Sequence, residues 1–207
     1  MPKNTFFNLP EEKKDRIIEI AIDEFSEHDY HKASISRIVK KAEIAKGSFY
    51  QYFEDKKDLY KYILLTAGEK KFSYLTHLVS SVTTMDTFQI LRELYSGGVI
   101  FAKENPKLAI IGNNFVKNND ANFKEEMLGE STQKSNAFLG SILAKGIAAG
   151  EIDPEIDVEF VSYILTTLSM SIGEYFIKEM QTNDYNDMIN LSDKMIYIIE
   201  NGIAKKN

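Results

Sequence analysis

The 207-residue sequence predicts an all-α chain, on three observations. Apolar residues recur at three- and four-residue steps along nearly the whole length, and no run sustains the period-two alternation of a half-buried strand. Helix-starting and helix-stopping residues punctuate those runs. No internal repeat, low-complexity tract or flexible linker interrupts them.

The first helix follows Asn8-Leu9-Pro10-Glu11, with Asn8 as N-cap and a glutamate three residues on, and Ile17, Ile18, Ala21, Ile22 and Phe25 form its apolar face. His28-Asp29-Tyr30 is its exit turn, since aspartate tolerates left-handed geometry better than most residues. A short helix opens at Ser34 and turns Ile35, Ile38, Val39 and Ala42 inward. After a turn at Glu43-Ile44-Ala45, Phe49 and Phe53 mark a second short helix. Asp55-Lys56-Lys57-Asp58 pairs a cap with an acid at its third position and starts a long helix to about Val79. Five more follow: one from Asp86, with Gln89 three residues later, to Asn105; one with Pro106 in its first turn, ending near Asn118; one over 122–149, closed by Gly150; one from Asp157 to about Met180; and one from Tyr185 to Asn201-Gly202.

Composition narrows the function classes. Hydrophobic residues make up 43% and charged residues 27%, as in an ordinary globular protein. The lack of cysteine excludes disulfides, thiolate metal sites and cysteine nucleophiles, and it fits a reducing compartment. Residues 1–10 carry no apolar core behind a basic region, and the apolar stretch 160–172 is broken by Ser and Thr and too short to span a bilayer. A cytoplasmic protein without membrane contact is therefore expected. His28, His31 and His77 have no metal-ligand spacing, the carboxylates are scattered, and there is no strand to carry a phosphate-cradling glycine loop. An enzyme is not expected, nor a metal or a cofactor.

The formal net charge of −6 argues mildly against nucleic acid until it is divided along the chain. Residues 31–57 hold seven basic side chains (Lys32, Arg37, Lys40, Lys41, Lys46, Lys56, Lys57) and three acidic ones (Glu43, Glu54, Asp55), so this window is +4 and the remainder −10. It coincides with two short helices separated by a three-residue turn and preceded by a third helix. That is helix-turn-helix spacing, in which the second short helix enters a major groove and the first crosses the phosphate backbone. On charge alone a solvated lysine face is equally good; the local basic surface is what phosphate contact requires.

The string Lys46-Gly47-Ser48-Phe49-Tyr50-Gln51-Tyr52-Phe53-Glu54-Asp55-Lys56-Lys57-Asp58-Leu59, with Ile17, Ala21, Phe25, Tyr30 and Ser34-Ile35-Ser36-Arg37-Ile38 before it, closely resembles the DNA-binding domain of the TetR/AcrR family of bacterial transcriptional regulators over about residues 10–60. Farther on, the resemblance rests on helix count and on Gly150-Glu151-Ile152-Asp153-Pro154-Glu155-Ile156-Asp157, similar to the family's segment before its penultimate helix. It implies a three-helix head over 1–54, joined by a long helix to a ligand-binding and dimerisation domain over 55–207. Gly47 would let DNA approach closely, and Ser48 offers a hydroxyl near a helix N-terminus. By resemblance Tyr50 donates to a backbone phosphate with Tyr52 beside it, Lys56 holds phosphate, and Ser34, Ser36 and Arg37 open the helix that makes further backbone contacts. Lys46 and Gln51 are the candidates for base edges, Gln51 by bidentate pairing with adenine. Phe49 and Phe53 belong to the core. Two positions depart from the family pattern: Glu43 stands where glycine is usual, and Ala45 where serine often caps the recognition helix.

In the larger domain, small residues mark two helix faces, Ser162, Thr166, Ser169 and Gly173 on one and Ala137, Ser141, Ala144 and Ala148 on another. The penultimate helix is otherwise apolar nearly all round, so it must be buried on two sides. In the resembled family the last two helices form a four-helix dimer interface, for which Ser162, Thr166, Ser169 and Gly173 fit on the penultimate helix and Met188, Leu191, Met195, Ile196 and Ile199 on the final one. An apolar or aromatic effector pocket would draw on Phe72, Tyr95, Phe101, Phe115, Phe138, Tyr163 and Met170, although such residues at helical spacing are more often plain core. Gly97-Gly98 inside a helix marks a bend, a close crossing or room for a ligand. The expectation is a homodimeric repressor, released by a small molecule from a pseudo-palindromic duplex operator. An adaptor for a protein partner, distinguished by the lack of a sequence-specific footprint, is the alternative.

Overall fold

A computed structural model describes residues 1–80, 85–118, 120–180 and 184–204. Among these the helices are α1 (Asn4–Phe7), α2 (Glu11–Glu27), α3 (Ile35–Lys41), α4 (Lys46–Tyr52), α5 (Lys56–Ser80), α6 (Thr87–Glu104), α7 (Pro106–Lys117), α8 (Ala121–Ala149), α9 (Val158–Tyr175), followed by a π turn over Phe176–Met180, and α10 (Tyr185–Ile203). The all-α expectation holds. The one pairing of extended backbone among the described residues is an isolated bridge between Ile152 and Ala204.

Several helix starts follow the sequence reading. At α6 the Asp86 N–H donates to Gln89 Oε1 at 3.1 Å and the Gln89 N–H to Asp86 Oδ1 at 2.8 Å, a reciprocal cap. The Asp58 N–H donates to Asp55 Oδ1 at 2.8 Å before α5, Pro106 opens α7, and Asp157 accepts the Phe160 N–H at 3.0 Å before α9. Gly150, at φ +77°, ends α8 in the left-handed region that glycine enters without penalty.

Two expectations are corrected. Asn8 does not cap the long helix; it closes α1, and Pro10 precedes α2 without a side-chain cap. The reason is Phe6, 1% exposed, which docks a helix of only four residues into the core. The exit from α2 does not use left-handed geometry at Asp29; instead Asp29 Oδ1 accepts the N–H groups of His31 and Lys32, each at 3.0 Å.

The chain forms two compact units, one of Met1–Lys70 with Asn105–Met127 and the other of Lys71–Glu104 with Leu128–Asn207. This grouping follows packing and differs from the division at residue 54 that the resemblance implies. In the first unit Ile17, Ala21, Phe25, Ile38, Phe49, Phe53, Leu59 and Ile63 are buried. Here α7 lies on α2, with Lys107 Nζ 2.5 Å from Asp23 Oδ1. Phe123 meets Tyr30 at 4.9 Å and Phe115 at 6.2 Å between ring centroids.

The second unit is built on Phe88, Leu91, Leu94, Ile142, Leu143, Ile152, Leu165, Met195, Ile196 and Ile199. Glu151 Oε2 accepts the Thr87 N–H at 2.8 Å and its hydroxyl at 2.6 Å, so the segment after Gly150 caps α6 while Ile152 fills the core. Gly97-Gly98 is a close crossing: a Cβ at Gly97 would stand 3.0 Å from Leu75 Cδ2 on α5.

Candidate nucleic-acid interface

Helices α3 and α4 are separated by a sharp turn at Glu43. The Ile44 N–H bonds to the Val39 carbonyl at 3.0 Å and the Glu43 N–H to the Lys40 carbonyl at 3.3 Å, the paired closure that requires a left-handed residue between them. Glu43 takes that role at φ +55°. Its carboxylate reaches Arg16 Nη1 at 3.5 Å. Ala45 precedes α4 without a side-chain cap, as its methyl group dictates.

The angle between α2 and α3 is held by a carboxylate that the sequence reading missed. Glu24, fully buried on α2, accepts the Ser34 N–H at 2.8 Å, Arg37 Nε at 2.8 Å and Arg37 Nη2 at 2.5 Å. Burial acts to raise the Glu24 pKa, but the Arg37 and Ser34 hydrogen bonds and the Arg37 charge outweigh it and hold the group below the ordinary carboxylate value. The signal was present: an acid stands three residues after Ala21 and seven after Ile17, on the apolar stripe itself.

The residues expected to meet DNA divide accordingly. Ser36, Lys46, Gly47, Tyr50 and Gln51 are exposed, while Ser34 and Ser48 are half-buried. A Cβ at Gly47 would meet nothing within 4 Å, so no packing demand inside the protein explains that glycine. Tyr52 is corrected to a packing residue: it is 6% exposed, with its ring 6.3 Å from Phe6. Arg37 is exposed, with its Nε and Nη2 engaged by Glu24 and by the Lys32 carbonyl at 2.8 Å. Lys56 donates to the carbonyls of His31 at 3.2 Å and Ala33 at 3.0 Å, over the Tyr30 ring, and burial lowers its pKa. Its first partners are backbone oxygens, which tie the start of α5 to the loop before α3. Lys32, Lys41 and Lys57 pair with Asp29, Glu27 and Glu126. Among the described residues of this window, Lys40 and Lys46 are the cations left to an outside partner.

The expected pocket and interface residues separate in the same way. Phe72 and Phe138 meet edge-on at 5.1 Å, Phe101 is buried against Tyr74 at 6.0 Å, and the Tyr95 hydroxyl lies 2.5 Å from Ser169 Oγ. Phe115 belongs to the other unit, and Tyr163 and Met170 are exposed. The small-residue stripe is corrected as well. Ser162 and Thr166 are 2% and 4% exposed, and Ser162 Oγ lies 3.1 Å from where a Cβ of Gly140 would stand, so the stripe lets α9 approach α8 within the protomer. Met195 and Ile199 fill the protomer core, while Gly173, Met188 and Leu191 are half-buried. The exposed apolar face of α9 is Phe160, Tyr163, Met170 and Tyr175, and that of α10 is Tyr197 and Ile198.

The arrangement agrees with known proteins. The family pattern "Bacterial regulatory proteins, tetR family" matches residues 17–63, which run from α2 into α5. A fatty acid metabolism regulator protein of Bacillus subtilis (strain 168) is 23% identical over 193 residues, covering 92% of this chain and 95% of that protein. The crystal structure of FadR from Bacillus subtilis in complex with stearoyl-CoA has a similar fold, with TM-score 0.70 and 22% identity, covering 91% of this chain and 98% of that one. A TetR family transcriptional regulator from Chloroflexus aurantiacus J-10-FL is 32% identical over the full length of both chains, with TM-score 0.64. With that identity and a helix-turn-helix of the geometry described, the chain belongs to the TetR family of transcriptional regulators.

Proposed function

We propose that this regulator is a homodimeric repressor that reads a pseudo-palindromic operator through α4 and leaves it when an effector binds its larger domain. The observation that carries the reading is the outward face of α4, where Lys46, Gly47, Tyr50 and Gln51 stand exposed on a seven-residue helix whose other side is buried through Phe49 and Tyr52. Tyr50 supplies a phosphate contact and Lys46 and Gln51 base contacts, while the open space at Gly47 admits the DNA backbone. All three arginines are occupied by Glu43, Glu24 and Glu200, so bidentate guanine reading is not the mode expected. Dimerisation runs through the exposed apolar faces of α9 and α10, which water covers poorly in a lone protomer.

For the effector, the likeness to a fatty acid metabolism regulator and to FadR holding stearoyl-CoA favours a long-chain acyl amphiphile with an anionic head. Lys71 on α5 supports that class. Its Nζ would stand 3.6 Å from a Cβ at Gly98, and no described residue offers it a counter-charge. Lys71 is exposed, and desolvation by the protein around its ammonium lowers its pKa. The test is an operator mobility shift titrated with acyl-CoA thioesters of increasing chain length. Release by long chains and not by free CoA is expected. Retention on the operator at saturating ligand would reject the acyl effector and leave the operator reading to be judged by its own footprint.

A further inference from the structure

A helix leaves its last four carbonyls without internal partners, and in a seven-residue helix those are most of the backbone acceptors. Each of the four on α4 has a donor. The Phe53 N–H takes the Phe49 carbonyl at 2.8 Å. Lys3 Nζ takes Tyr50 O at 2.9 Å, the Thr5 hydroxyl takes Gln51 O, and the Lys3 N–H takes Tyr52 O at 2.8 Å. Three of the four donors come from a segment some fifty residues earlier in the chain. That segment is itself fixed, because the Phe6 ring lies 4.9 Å from Phe53 and 5.7 Å from Tyr62 and the Phe6 N–H bonds to the Lys3 carbonyl at 2.9 Å. The Lys3 ammonium also places positive charge at the negative end of the helix dipole.

We propose that Lys3 and Thr5 are positioning residues for DNA reading, acting as a C-terminal cap for the recognition helix supplied from outside it. The inference rests on the proposed reading of α4. The residues whose carbonyls are held, Tyr50 and Gln51, are the ones whose side chains face outward to phosphate and base. Two turns of helix do not sustain themselves in water, so when the cap is lost the last turn frays and both side chains lose their register. Lys3 works through a carbonyl and not through a phosphate. That separates this role from a basic arm lying on DNA, whose loss would remove about one unit of salt slope.

The experiment compares full-length wild type with Thr5→Val, Thr5→Ser, Lys3→Met and Lys3→Arg on an operator duplex and on a random duplex of equal length. Thr5→Val and Lys3→Met are each expected to weaken operator binding about tenfold, to weaken random-duplex binding much less, and to leave the salt slope unchanged. Thr5→Ser and Lys3→Arg restore operator affinity. A salt slope that drops by about one unit in Lys3→Met would overturn the proposal in favour of direct phosphate contact, and so would an unchanged ratio of operator to random affinity. Hydrogen exchange on the DNA-free protein decides the matter separately. Faster exchange confined to α4 and its flank in Thr5→Val supports the cap, and unchanged protection rejects it. If wild type itself failed to prefer any duplex, the operator reading would fall while the exchange result still judged the cap.

Discussion

At the scale of single residues, Glu43 and Gly47 carry opposite messages about backbone and surface. Glu43 occupies a left-handed conformation at φ +55° that costs a non-glycine residue about 1 kcal/mol, and its exposed contact with Arg16 at 3.5 Å returns little of that. Glu43→Gly is therefore expected to raise stability by up to about 1 kcal/mol, read as a higher urea midpoint at constant slope. It also removes a negative charge beside the proposed DNA face, so non-specific DNA binding should tighten. At Gly47 the backbone is helical and the space around it open, so Gly47→Ala should stabilise the free protein by up to about 1 kcal/mol. The same substitution should weaken operator binding; unchanged affinity would mean that DNA does not approach α4 there. Both positions were legible in the sequence, since turn length and glycine placement are local matters. Arg37 was not, because its partner Glu24 lies thirteen residues earlier on another helix and no spacing rule joins them.

At the scale of elements, the head is held together by polar locks between helices. Glu24 ties α2 to the start of α3, and Lys56 ties the start of α5 to the loop before α3. A buried carboxylate whose partner is removed is costly, so Arg37→Ala should lower the denaturant midpoint at unchanged slope. The pH dependence follows from the lowered pKa of Glu24. Its contribution is fully present above the ordinary carboxylate range and disappears as pH falls through the folded-state value. Glu24→Gln should thus be less stable than wild type at neutral pH and show a shallower further loss on acidification. Parallel stability–pH curves would exclude that role. Helix α1 escaped the sequence reading for a physical reason. Four residues are too few to display a helical period, and what stabilises them, Phe6 in a distant aromatic cluster, is tertiary. The longer helices, with their caps at Asp86, Pro106 and Asp157, were legible because their signals are local.

At the scale of the molecule, the question is which surfaces are left for partners. The composition of α9 predicts burial on two sides, yet composition does not say which face meets the protomer's own core. The small residues went inward, where close helix approach needs them, and Phe160, Tyr163, Tyr197 and Ile198 remain outside at 55–71% exposure. Ile198→Glu combined with Tyr163→Glu should leave the fold intact and convert the dimer to monomer in sedimentation, with operator affinity falling in step; a dimer that persists would place the interface elsewhere. Charge is divided on the same scale, with +4 in residues 31–57 against −10 elsewhere, so on the proposed reading the acidic remainder would discourage unspecific contact with DNA. The most direct test of the central claim is a footprint on genomic DNA with wild type and Gln51→Ala side by side. Wild type should protect a pseudo-palindromic site, and Gln51→Ala should relax base preference at one position of each half-site at a cost of about 1–3 kcal/mol. Protection without sequence preference, or an unaltered preference in Gln51→Ala, would contradict the claim that α4 reads this operator through Gln51.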